Sequence, residues 1–107
     1  MNVFIDVTGT RLFPLEMIVA EASRASGIST ADIYGARRTA RVARARHIAM
    51  WLVRKCTDLS LMEIGEHFGG RDHGTVMHAC RNVDAWIQQD AEFAARITQM
   101  KQQFANN

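Results

Sequence analysis

The sequence predicts an all-α domain, a compact bundle of about six helices that contains a helix-turn-helix. Three observations carry this prediction. The 107-residue chain holds a single proline and few β-branched runs, so little in it interrupts helices. Apolar residues recur in successive stretches at the spacing of a one-sided helix. Residues 64–80, IGEHFGGRDHGTVMHAC, read as two helices joined by a glycine turn, with polar side chains crowded at the start of the second. The length allows one core, and a hydrophobic share of 48% is ordinary for a globular domain.

The elements follow from punctuation and period. Residues 1–12 lack a clear period and are expected to be an irregular arm ahead of a domain spanning 13–107. Pro14 suits the first turn of a helix whose stripe is Leu15, Ile18, Val19 and Ala22, with Gly27 at its C-terminal cap. Ser29-Thr30-Ala31-Asp32 has capping-box spacing, with Asp in place of Glu, and predicts a short helix over 30–34 ended by Gly35. A long helix over about 39–56 has Val42, Ala45, Ala49, Leu52, Val53 and Cys56 on one arc at about 100° per residue. Arg37, Arg41, Arg44 and Lys55 fall on a neighbouring arc, together with Ile48 and Trp51, which an adjacent helix must cover. Ser60-Leu61-Met62-Glu63 is a full capping box for a helix ending near His67 or Phe68. Gly65 is expected to admit another helix closely, and Gly69 and Gly70 to allow the turn. Asp72 can cap the next helix, whose stripe is Val76, Cys80, Val83 and Ile87, with Met77, His78, Arg81 and Asn82 away from it. A final helix over about 91–104 buries Phe93, Ile97, Met100 and Phe104.

Charge is unevenly spread. The net charge is only +2, yet residues 36–57 carry Arg37, Arg38, Arg41, Arg44, Arg46, Arg54 and Lys55 and no acid. Such a block beside a helix-turn-helix is the electrostatic footprint of polyanion binding rather than a merely solvated face. At the entry of the second helix, Arg71 can donate two bonds to guanine, Asp72 can accept from the cytosine amino group, and the Thr75 methyl can touch that of thymine. His73 donates or accepts according to its tautomer, and the helix N-terminus favours phosphate. Asp72 fits a capping role equally well.

The residues Ile64, Gly65, Phe68 to His73, Thr75 and Val76 resemble the signature I-G-x-x-F-G-G-R-D-H-T-T-V of the C-terminal DNA-binding domain, domain IV, of the bacterial replication initiator DnaA. The resemblance runs over about residues 15–104. It implies a Trp-repressor-like helix-turn-helix in the major groove and a basic loop in the minor groove. By position it implies that Arg38 enters the minor groove, with Arg37 and Arg41 in the same basic segment. It gives phosphate contacts to Arg46, His47, Arg54, Thr75 and His78, and base contacts to Arg71, Asp72 and His73. Gly74 stands where the family has a base-contacting threonine, and His47 where glutamine is common. The departure at Gly74 puts preference for the standard DnaA box in question.

Other chemistries find little support. The sequence has no Walker A loop, G-x-x-x-x-G-K-[ST], so no nucleotide is expected as a ligand. His67, His73, His78 and Cys80 make a poor metal set, because His73 and His78 lack the i, i+4 spacing of a helical pair, and no metal or other cofactor is expected. Cys56 and Cys80 lie on apolar stripes and fit neither a nucleophile nor a disulfide framework. No apolar run is long enough to span a membrane, and the N-terminus does not look like a signal peptide, so a cytoplasmic, nucleoid-associated protein without a membrane partner is expected. With Met1 taken as the start, the DNA reader is expected to stand alone.

The expected activity is sequence-selective binding of double-stranded DNA without catalysis. The favoured role is a stand-alone transcriptional regulator, with a transcription protein as a candidate partner. The alternative is binding of DnaA-box-like origin sites in the initiation or regulation of DNA replication, with a replication protein as partner. A third reading, a protein-interaction module that kept the fold and lost specific DNA binding, draws on Gly74 and is opposed by the retained arginines.

Overall fold

The computed structural model describes residues 14–105 and two short strands ahead of them, β1 (Phe4–Ile5) and β2 (Arg11–Leu12). The strands pair antiparallel, with Phe4 opposite Leu12 and Ile5 opposite Arg11. This pairing replaces part of the irregular arm expected over 1–12; the rest of that arm lies outside the described residues. Six helices follow: α1 (Pro14–Ser26), α2 (Thr30–Tyr34), α3 (Ala40–Cys56), α4 (Leu61–His67), α5 (His73–Gln89) and α6 (Ala91–Ala105). The all-α bundle with a helix-turn-helix is therefore observed, and the paired strands leave the class unchanged.

Local chemistry sets the helix ends. Ser29 accepts from the Asp32 amide at 3.1 Å and opens α2. Ser60 accepts from the Glu63 amide at 3.1 Å while the Glu63 carboxylate accepts from the Ser60 amide at 2.9 Å, which completes the capping box of α4. Those bonds hold the Glu63 carboxyl below its ordinary pKa. Thr57 ends α3 by donating both its amide, at 3.0 Å, and its hydroxyl, at 2.7 Å, to the Val53 carbonyl. Asp90 works twice: its amide closes α5 on the Trp86 carbonyl at 3.0 Å, and its carboxylate accepts the Phe93 amide at 3.0 Å at the start of α6.

The core forms around α3, which packs against each of the other five helices. Ile18, Val19, Ile33, Leu52, Val53, Ile64, Phe68, Val76 and Val83 are completely buried. Each such side chain contributes about 1.5–3 kcal/mol through loss of apolar surface from water. Trp51, on the cationic side of α3, is covered by α5 and donates its indole N–H to Asp84 at 2.8 Å. Ile48 is partly buried against the same core. Met50 is also buried, so α3 is covered on more of its circumference than its apolar stripe implies.

One expectation needs correction. Gly65 does not make room for a neighbouring helix. A Cβ there would stand 1.9 Å from the Arg71 carbonyl oxygen, so it is the chain's own turn that folds back on α4. The Arg71 amide then donates to the Gly65 carbonyl at 2.9 Å.

Candidate nucleic-acid interface

Residues 68–72 form the turn of the helix-turn-helix. Gly69 and Gly70 take φ of 77° and 76°, left-handed values that L side chains resist, and they reverse the chain between α4 and α5. Asp72 then accepts from the Thr75 amide at 2.8 Å and caps α5. That bond, first among the causes, lowers the Asp72 pKa, and the nearby His73 acts in the same direction. The cap leaves His73, Gly74 and Thr75 exposed on the first turn of α5, beside exposed Asp72, with exposed His78 a turn further on. At Gly74 an added Cβ would make only an ordinary 3.4 Å contact with the Asp72 carboxylate. Glycine is thus not required there by the backbone or by crowding.

The second candidate surface is the segment between α2 and α3. Arg37, Arg38 and Arg41 are exposed, and Arg37 pairs with Asp32 at 3.2 Å. Arg54 is exposed at the far end of α3 and lies beside the buried Cys80 thiol. Burial pushes both the Cys80 and Cys56 thiols up, which keeps them protonated and unreactive. Among the described residues, no three His, Cys, Asp or Glu side chains gather where they could hold a metal ion.

Arg46 and Arg71 stand apart from the other arginines. Arg46, expected to face phosphate, is only 5% exposed. Its guanidinium donates to the carbonyls of Ile33, Asp32 and Arg37, each at 2.8 Å. Burial and the neighbouring Arg71 lower its pKa, although an arginine keeps its charge at any ordinary pH. Arg71, expected to read a base, is half-buried and donates to the carbonyls of Gly35 at 2.6 Å, Tyr34 at 3.4 Å and Phe68. Both guanidiniums are directed at the protein backbone. The arc of α3 carries a signal for Arg46, because at about 100° per residue position 46 flanks the edge of the apolar stripe beside Val53, away from the arc of Arg41 and Arg44. No comparable signal marks Arg71.

A third group joins α3 to α5. The Asn82 amide nitrogen lies 3.4 Å from His47 Nδ1 and 3.5 Å from His78 Nε2. His47 stacks on Trp86 with ring centroids 6.1 Å apart, and the Arg44 guanidinium stands 4.4 Å from the same indole. Burial first, then His78, Arg46 and Arg71, depress the His47 pKa, so its ring is neutral at pH 7 and can accept from Asn82. Arg44, Asn82 and Trp86 were not singled out as site residues from the sequence. Asn82 and Trp86 mark themselves only by meeting His47 across the helix pair.

Comparison with known proteins places this geometry. The family model of the bacterial DnaA helix-turn-helix matches residues 15–83. The chromosomal replication initiator DnaA of Methylacidiphilum infernorum is 37% identical over 103 residues, which are 96% of this chain and 23% of the relative. The same initiator from Wolbachia pipientis wMel is 40% identical over 94 residues, 88% of this chain and 20% of the relative. A crystal structure of a DNA replication initiation factor superposes with a TM-score of 0.76 at 32% identity, covering 87% of this chain and 28% of that one. The chain thus spans about a fifth of the length of the curated relatives it matches.

Proposed function

Because this chain belongs to the bacterial DnaA helix-turn-helix family, a DNA-binding fold, we propose that it binds double-stranded DNA sequence-selectively, with the first turn of α5 in the major groove. The observation that carries the reading is the exposure of Asp72, His73, Gly74 and Thr75 at a capped helix N-terminus, next to Arg71, whose guanidinium bonds the Tyr34 and Gly35 carbonyls just ahead of the cationic segment 36–41. In this reading Asp72, His73 and Thr75 meet base edges or the adjacent phosphate, and Arg37 and Arg38 reach the minor groove. Arg41, His47, Arg54 and His78 meet the backbone, where the two arginines displace counterions and make affinity fall with salt. Residues 13–107 act as the binding unit, with 1–12 as an arm ahead of it. Among the described residues no helix is long and apolar enough to cross a membrane, and the site of action in this reading is the bacterial nucleoid.

The sites bound are proposed to be of the DnaA-box type, in keeping with the replication initiators that the chain resembles at 37–40% identity. Gly74 favours a second reading, a transcriptional regulator with its own operator, since the side chain that would meet one base pair is missing. Selection of bound duplexes from a random pool separates the two. Recovery of a DnaA-like box supports the first reading, and a different motif supports the second. Failure to enrich any motif would remove sequence-selective binding altogether.

A further inference from the structure

We propose that Arg46 and Arg71 are positioning residues, a two-arginine clasp that holds the basic segment 35–39 in register with the helix-turn-helix so that the two grooves are read as one unit. The proposal rests on the DNA-binding reading above. It replaces the direct roles that the family resemblance implies for these two side chains.

The need for a clasp arises in α2. A helix of five residues, Thr30–Tyr34, leaves most of its carbonyls without intrahelical partners, and no lysine or arginine lies in its last turn. The two guanidiniums supply what α2 lacks. Arg46 takes the carbonyls of Asp32, Ile33 and Arg37, while Arg71 takes those of Tyr34 and Gly35. Five of the six consecutive carbonyls over 32–37 are therefore bonded from two side chains that sit far away in the sequence. Arg71 also donates to the Phe68 carbonyl, which belongs to the turn of the helix-turn-helix. One planar fork consequently spans both surfaces.

Packing makes the arrangement tight. The Tyr34 and Phe68 rings lie 5.3 Å apart across the junction. A Cβ on Gly69 would stand 3.1 Å from the Tyr34 carbonyl oxygen and 3.2 Å from Arg71 Nη1, so the turn has no slack toward the segment. Lysine could not substitute, because the Phe68 and Gly35 carbonyls are bonded from two different nitrogens of the Arg71 fork, and lysine has one. The carbonyls at the C-terminal end of α2 carry the negative end of its dipole, which offsets two like charges held close together. With the loop so held, Arg37 and Arg38 project from a fixed base rather than from a flexible linker. Order established before binding removes an entropic cost from the minor-groove contact.

The test is a double-mutant cycle on the full chain, using the duplex recovered by selection and a scrambled duplex of equal composition. Circular dichroism first establishes that Arg71→Lys, Arg46→Lys and Arg38→Ala are folded. Lysine retains the charge, so a loss in the lysine variants reports geometry. Arg71→Lys and Arg38→Ala should each weaken binding to the selected duplex by about tenfold. Combined, they should weaken it by little more than either alone, the signature of groups acting through one another. In selection, both should relax preference at the same base pairs. Amide hydrogen exchange should speed up at residues 34–38 in both lysine variants and stay unchanged in α6. The clasp is overturned if the two losses multiply, if Arg71→Lys relaxes a base pair different from that of Arg38→Ala, or if exchange at 34–38 is unaltered. A wild-type chain that binds both duplexes equally overturns the DNA-selective reading and the proposal with it. Retained selectivity with multiplying losses overturns the clasp alone.

Discussion

The two candidate DNA-facing regions are built on opposite principles. The entry of α5 is organised by residues adjacent in sequence: two glycines at positive φ turn the chain, and Asp72 caps the helix three residues from the amide it binds. The segment between α2 and α3 has one local tie, the Arg37–Asp32 pair, and no cap of that kind. Its carbonyls are gathered by side chains up to 37 residues away. A surface of the first kind can be read from a short motif, whereas one of the second kind is visible only after the core has brought distant residues together. The first should therefore fail piecemeal, and the second should fail as a unit with the packing around it.

The largest expected effect tests where the regions meet. Gly65→Ala would place a Cβ 1.9 Å from the Arg71 carbonyl and force the turn away from α4. A cost of about 3 kcal/mol in chemical denaturation is expected, at the upper end of overpacking penalties. Because Arg71 would move with the turn, amide exchange should also rise in segment 34–38. A loss of under about 1 kcal/mol would mean that the turn relaxes freely and that the regions are not mechanically joined.

Arg46→Met is the complementary break, on the remote side only. It keeps most of the buried stem and leaves the Ile33 and Asp32 carbonyls short of a donor. About 2 kcal/mol of stability should be lost, with the exchange behaviour of the α5 entry unchanged. Gly74→Thr sharpens the comparison on the local side. The structure has room for the side chain, so stability should hardly change while affinity for a DnaA-box duplex rises about fivefold over a scrambled one. Equal changes on both duplexes would show that position 74 does not set specificity.

The smallest effect is a pH dependence at the contact of α3 with α5. The folded state depresses the His47 pKa, so the native protein favours the neutral ring relative to the unfolded chain. That contribution is complete above the ordinary histidine value of about 6.5 and is lost as pH falls through the lower, folded value. Thermal stability should decline from pH 7 to pH 5, and His47→Gln should flatten that decline. An unchanged slope in the variant would assign the decline to other groups.

What the sequence made legible follows the same division. Six helices, the caps at Ser29, Ser60 and Asp72 and the stripes of α5 and α6 rest on period and on side chains within a few residues of the amides they bind. Gly65 advertised a close approach, but not that Arg71 of the turn makes it. In a run of cations without acids, Arg46 resembled its neighbours; the difference is its angular position, which places it under α2. Arg71 lies inside a motif that already accounts for it, so nothing local suggested that its fork points at Tyr34 and Gly35. Interactions that close over long sequence separations leave no periodic trace.

The environment of Trp86 gives the molecule an optical reporter. Its indole meets both the His47 ring and the Arg44 guanidinium, at the junction of α3, α5 and α6. Trp51, the other tryptophan, is 5% exposed and hydrogen-bonded to Asp84. An imidazolium quenches a stacked indole by accepting an excited-state electron, whereas a neutral imidazole does so poorly. The emission of Trp86 should therefore dim as His47 gains a proton, while Trp51 supplies a steady background. A duplex that brings phosphates to His47 would favour that proton, so intrinsic fluorescence can follow the contact without any attached label.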